Sequence, residues 1–160
     1  MSLPELTCWF LEGVLQEFID RAKNIKFMEN TVRSATKGRA IGVGVLGWHT
    51  FLQQKGLPFV GIQASSYTRM MFEFIEKEVL KASRAQAELY GEPEWCKGTG
   101  LRHSHHIAIA PTVSNSVITG GISAGIEPLP ANIYTFNGAK GTFIRKNKVL
   151  ENHLLRRMFS

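Results

Sequence analysis

Apolar residues at Leu3, Leu6, Phe10, Val14 and Phe18 recur at spacings of three and four, the period of a helix with one broad apolar face. Ser2 is followed three residues later by Glu5, with Pro4 between them, a capping-box signature. The spacing therefore predicts a helix from about Ser2 to Lys23. Residues 24 to 38 are polar and read as a connector with room for a helical turn. A short strand is expected near 39 to 45, then a short helix from Leu46 to Gln54 ended by Lys55, Gly56 and Pro58. The longest helical pattern runs from about Ser66 to Tyr90, with Met71, Phe74, Ile75 and Val79 on one face and Gly91 as terminator. That stripe reads as core packing.

After Pro93 the texture changes. Residues 98 to 134, GTGLRHSHHIAIAPTVSNSVITGGISAGIEPLPANIY, are rich in Gly, Ser, Thr and Pro and poor in charge, with one apolar strand from Ile107 to Ala110. This composition predicts a buried strand followed by a loop built for close backbone approach. From about Thr142 the tail reads as a turn and a short amphipathic helix. No internal repeat or low-complexity tract is present.

The glycines of GVGVLG, residues 42 to 47, carry the spacing of a dinucleotide-binding turn, which also needs a preceding apolar strand and an acid about 20 residues on. The upstream TVRSATKGRAI is polar and basic, and no Asp or Glu lies between Gly47 and Glu73. Glycines at 42, 44 and 47 are instead read as letting a strand end and the next helix pack closely.

At 160 residues and 44% hydrophobic content, the chain has one domain's worth of core. No apolar run approaches the roughly 18 residues of a membrane span, and MSLPELTCWF lacks the order of a signal peptide. The expectation is a cytoplasmic protein without membrane contact. Cys8 and Cys96 stand far apart without a C-x-x-C pair, so reduced thiols are expected rather than a zinc site or disulfide. A net charge of +6 and a pI near 9.6 favour anionic partners. Dispersal of the Lys and Arg along the chain argues for solvated surface or an interface, against a nucleic-acid groove.

Three groups carry candidate chemistry. PTVSNSV, residues 111 to 117, follows the strand HIAIA with Ser114, Asn115 and Ser116 at a strand-to-helix turn. Backbone N–H groups and hydroxyls converge there, as an anion site or as an ordinary Ser-rich cap, and the pattern leaves both open. His103, His105 and His106 could start a metal site, but His49, His153 and the two cysteines sit at no supporting spacing. They are read as a surface or hydrogen-bonded cluster, with no metal assigned. Cys96 has Lys97 beside it but no positioned base, which favours a small buried thiol over a nucleophile. Glu127 stands alone in the apolar stretch GIEPL, which would raise its pKa, with no second carboxylate near in sequence.

Together, RAIGVGVLGWHTFLQQKG, PEWCKGTG, LRHSHHIAIAPTVSNSV, GIEPL and KNKVL resemble the C-terminal half of the large (alpha) subunit of class I, aerobic, ribonucleotide reductases. The likeness is closest to phage and bacterial forms, and covers roughly residues 10 to 152 in family order. It implies an α/β fold, part of a ten-stranded α/β barrel left incomplete in this chain, with residues 1–160 forming a single segment of the barrel domain and no second domain. The family's phosphate-binding loop, A-x-A-P-x-x-S-S-S in this branch, falls on Ala108, Ala110, Pro111, Ser114, Asn115 and Ser116. Its G-I-E-P falls on Gly125 to Pro128, including Glu127, and is expected to shape the same end of the barrel.

The chain departs from the family at His103, where Asn usually follows the motif's Arg, and at Asn115, where the middle serine stands. The family's catalytic cysteine lies on a finger loop upstream of the matched region, with one reducing cysteine and the allosteric nucleotide sites. Its radical-relay tyrosine pair and C-terminal cysteine tail lie downstream, and neither Cys8 nor Cys96 matches a catalytic position. The resemblance thus implies a segment of a ribonucleoside-diphosphate reductase, inactive alone, with no cofactor of its own. Its partners would be a complementary large-subunit segment carrying the catalytic cysteine, a small subunit with a dimetal or radical cofactor, and a ribonucleoside diphosphate. Two other readings stand beside it: a truncated, non-catalytic remnant, and an independent basic domain that binds nucleotides or nucleic acid.

Overall fold

Ser2 starts the first helix as its sequence requires. In a computed structural model of the chain, its Oγ accepts the Glu5 N–H at 3.4 Å, and the Glu5 carboxylate accepts the Ser2 N–H at 3.3 Å. The structure describes residues 1–138 and 141–158 and divides into two units. The first comprises Met1–Gly44 and Arg69–Ala108, the second Val45–Thr68 and the chain from Ile109 onward.

In the first unit, α1 (Leu3–Ala22) buries Cys8, Glu12, Ile19 and Ala22. The face expected to be buried is exposed instead: Leu3 is 76% and Phe10 67% accessible, with Leu6 and Val14 also open. A charge explains the rotation. The Glu12 side chain, 8% accessible, receives Arg39 Nε at 3.1 Å and Arg102 Nε at 2.9 Å on its two oxygens. Arg39 Nη2 lies 2.8 Å from the same carboxylate, an ion contact off the hydrogen-bond direction. Leaving such charges unpaired in a low dielectric costs several kcal/mol. The carboxylate therefore fixes which face of α1 turns inward.

The expected connector is mostly helix. α2 (Glu29–Gly38) has Glu29 in its first turn and Lys37 in its last, each favourable to the helix dipole, and ends at Arg39 in a left-handed conformation with φ 45°. Arg39's carbonyl then accepts from His103 Nδ1 at 2.6 Å. Helix α4 (Ile62–Tyr90), whose first residues belong to the second unit, buries Ile75, Val79, Ala82, Ser83, Gln86 and Ala87, whereas Phe74 of its predicted stripe is exposed. Arg102 Nη1 caps the helix end by donating to the carbonyls of Tyr90 and Gly91 at 3.0 and 2.8 Å. A short 3₁₀ turn covers Glu94–Cys96.

The expected strands at 39–45 and 107–110 meet as a single parallel bridge, Val43 to Ile107. Ile41 and Val43 donate to His105 and His106, and Ala108 donates back to Val43. Glycine makes this approach possible: a Cβ on Gly42 would lie 2.6 Å from the Ala108 Cβ, and one on Gly44 would overlap the Ala108 carbonyl oxygen. Among the described residues the pairing stays a single bridge, and Ala108, Ile109 and Ala110 are exposed, not buried as expected.

The second unit begins with α3 (Trp48–Gln54), capped by another segment rather than by its own N-cap side chain. Gly47 N–H donates to the Ser123 carbonyl at 2.9 Å, while Thr50 and Ser123 exchange backbone-to-hydroxyl bonds at 3.1 and 2.8 Å. Gly47 has φ 84°, and a Cβ there would meet Ile122 Cδ1 at 2.8 Å. Helix α5 (Val113–Ile118) is followed by a hairpin of β1 (Ile133–Gly138) and β2 (Gly141–Lys146), antiparallel with Tyr134 opposite Arg145. Asn147 opens α6 (Lys148–Met158), its side-chain oxygen accepting the Leu150 N–H at 3.3 Å. Ala139, Lys140, Phe159 and Ser160, including the end of the predicted tail helix, lie outside the described residues. No helix among them is long and apolar enough to cross a membrane.

Glu12→Gln keeps the volume of this side chain and removes its charge, leaving two guanidinium groups to one neutral amide. Urea unfolding should show a loss of about 3 kcal/mol or more. A change under about 1 kcal/mol would contradict the ionic account.

Candidate functional site

The loop from Ala110 to Ser116 starts where the extended segment ends. Pro111 has no N–H to extend a ladder. Thr112 then adopts φ 47°, a costly conformation for a β-branched residue, and α5 opens at Val113. Two bonds hold Thr112 there: its Oγ1 accepts the Gly125 N–H at 2.8 Å, and its carbonyl accepts the Ser116 N–H at 2.9 Å. With that hydroxyl engaged, no side chain caps α5. The N–H groups of Val113, Ser114 and Asn115 have no intrahelical acceptor, and all three residues are exposed.

Gly125 is the second half of the construction. It has φ 48°, and a Cβ on it would fall 2.7 Å from the Ala110 carbonyl oxygen. Its own carbonyl accepts the Trp48 N–H at 3.3 Å. The GIEP segment therefore lies directly against the loop, and any side chain at Gly125 would push Ala110 away.

The predicted site residues separate into two sets. Ser114 and Asn115 face solvent, as do Ala110 and Pro111. Ser116 is 3% accessible and donates its hydroxyl to the Val113 carbonyl at 2.7 Å, so that hydroxyl is directed inward. Glu127 is exposed, with its N–H on the Ala124 carbonyl, and is not enclosed by apolar side chains as its sequence context suggests. Thr112 was missed because a local pattern does not predict a β-branched residue in a left-handed conformation. Glu12 was missed because one carboxylate inside an apolar helical pattern has no partner in its own segment.

The other candidates resolve into hydrogen-bonded structure. His103 is buried between the Arg39 carbonyl and Gln86 Oε1 at 2.8 Å, and His106 Nε2 meets Ser83 Oγ at 3.0 Å. His49 Nδ1 accepts the Leu129 N–H at 2.9 Å, which leaves any proton of the neutral ring on Nε2. Among the described residues no group of three His, Cys, Asp or Glu could hold a metal ion. Burial, reinforced by the Glu12 charge, pushes the Cys8 thiol up to about 12. Burial also raises Cys96. Neither thiol is poised as a thiolate.

The family described as "Ribonucleotide reductase, barrel domain" matches residues 11–95 and 93–160. The chain is 38% identical over 149 residues to the ribonucleoside-diphosphate reductase large subunit of Invertebrate iridescent virus 3, covering 93% of this chain and 23% of that protein. It is 36% identical over 148 residues to the large subunit of Invertebrate iridescent virus 6, covering 92% and 15%. The solved structure of the Actinobacillus ureae class Id ribonucleotide reductase alpha subunit superimposes with a TM-score of 0.87 at 38% identity, over 97% of this chain and 28% of that one. The chain thus spans less than a third of each relative's length.

Burial lowers the pKa of His49 and His103, and burial with the neighbouring His103 and His105 charges lowers His106 from 6.5 to about 4. Below pH 6.5 the unfolded chain takes up protons that the folded histidines refuse, so stability present above pH 6.5 is lost as the pH falls towards about 4. The melting temperature should fall between pH 7.5 and pH 5, and His106→Gln should reduce that fall. A melting temperature independent of pH over this range would contradict the assignment.

Proposed function

The chain belongs to the ribonucleotide reductase barrel-domain family, and we propose that it is a segment of a ribonucleoside-diphosphate reductase large subunit that supplies the substrate's phosphate-binding loop. One observation carries this reading: the Thr112–Gly125 bond, which leaves α5 uncapped with the N–H groups of residues 113 to 115 free for an anion. Phosphate oxygens would accept these N–H groups, with the Ser114 hydroxyl and Asn115 amide as further donors. Ser116 shapes the turn through its inward hydroxyl, Pro111 and Ala110 set its entry, and Gly125 with the Glu127 segment backs it. The excess of positive charge suits an anionic substrate.

Holding the phosphates positions the ribose for chemistry performed by other groups. Neither Cys8 nor Cys96 matches a catalytic position of the family, and in this reading the radical and reducing cysteines of the reaction come from a complementary large-subunit segment. The dimetal or radical cofactor belongs to the family's small subunit, which would dock on the assembled enzyme. In this reading the Val43–Ile107 bridge is one contact of the ten-stranded barrel, and the open faces at Leu3, Leu6, Phe10, Val14 and Ile109 are covered by the complementary segment. The assembly would work in the cytoplasm, and a phage or bacterial type is part of the proposal.

In the assembled enzyme, Ser114→Ala with Asn115→Ala should raise KM for a ribonucleoside diphosphate, by about 1 kcal/mol or more of lost binding. Ser116→Ala should instead lower stability, because it leaves the Val113 carbonyl without this buried hydroxyl donor. Unchanged KM in the double variant would remove the loop from the substrate site.

A further inference from the structure

Beyond that reading, we infer that the cleft between the C-terminal end of α5 and the β1–β2 hairpin is a second anion site, built for the phosphoryl oxygens of a small phosphorylated molecule. The cleft has a volume of about 330 Å³ and is lined by Arg145, Lys146, Lys148 and Tyr134, with Glu151 as its one carboxylate. Its size falls at the lower end of the range for small-ligand pockets.

Arg145 and Lys148 have no carboxylate partner among the described residues. The Arg145 guanidinium lies 4.9 Å over the Phe136 ring. This cation–π contact holds the guanidinium in place, with its donors available to an oxyanion. Lys148 places its ammonium at the rim by donating one hydrogen to the Gly120 carbonyl at 2.9 Å, which leaves two more donors. Lys146 meets Glu151 at 3.4 Å, both more than 45% accessible, a pair that water screens.

Gly120 and Gly121 line the cleft beside these cations. Both have positive φ and use their N–H groups to close α5 on Val117 and Ser116. Arg145 Nη2 lies close by, 3.9 Å from where a Gly121 Cβ would stand. Three cations and a phenol against one exposed carboxylate make a donor-rich, net positive concavity, which phosphoryl oxygens complement.

The test is an amide NMR titration of the full chain with pyrophosphate, following Gly120, Gly121 and Arg145. Saturable shifts there are expected. Arg145→Gln should weaken the affinity about tenfold or more. Glu151→Gln should strengthen it about twofold or more, a change that loss of folding cannot imitate. Ser114→Ala should leave it unchanged, which separates this site from the loop at 110 to 116. A parallel titration with ATP identifies the source: tighter binding than pyrophosphate points to a nucleotide, and equal binding to a free phosphate anion. Non-saturable shifts, or both variants moving the affinity in the same direction, would overturn the site.

Discussion

One buried carboxylate organises the first unit. Glu12 binds two guanidinium groups that belong to distant stretches of chain, one where α2 ends and one beyond the 3₁₀ turn that follows α4. Any rotation of α1 that buried its longer apolar stripe would strand both charges, and the ion network therefore sets the inward face. Arg39 passes the constraint on through its carbonyl to His103, and Arg102 passes it to the last carbonyls of α4. The parallel pairing of Val43 with Ile107 follows within a few residues of those anchors.

Absent side chains do the complementary work. Gly42 and Gly44 allow Ala108 to approach, Gly47 gives room to Ile122, and Gly125 to the Ala110 carbonyl. The G-x-G-x-x-G spacing is therefore a record of close packing, without the acid that a dinucleotide ribose would need. Thr112 shows the same economy in the loop. Its hydroxyl serves Gly125 instead of capping its own helix, and the uncapped N–H groups become the chemically available feature.

Much of this was legible in the sequence where the determinants are local. The capping box at Ser2, the turn chemistry after Gln54 and the glycine at 91 placed α1, α3 and the end of α4 within a few residues. Ser114 and Asn115 stood out because a strand, a Pro and a run of small polar residues adjoin there. The inward turn of the Ser116 hydroxyl depends on helix geometry that composition does not encode. The stretch 24 to 38 reads as a polar connector with room for only a helical turn because α2 lacks a side-chain cap and has few apolar residues, yet most of it forms a helix with charges suited to its dipole. The hairpin does leave a signal, Ile133 to Phe136 and Thr142 to Ile144 with glycines between them, but Ile133 and Tyr134 end the Gly-rich segment and the stretch from Thr142 reads as a tail because charged residues follow closely. The inward face of α1 was beyond any local pattern, since Arg39 and Arg102 lie 27 and 90 residues from Glu12.

The most direct test of the central claim is affinity purification of this chain from its native host, with mass spectrometry of what accompanies it. The account predicts recovery of a second chain carrying the remaining large-subunit barrel with its catalytic cysteine, together with a reductase small subunit. Recovery of the chain alone, or with chaperones only, would contradict a role in an assembled reductase.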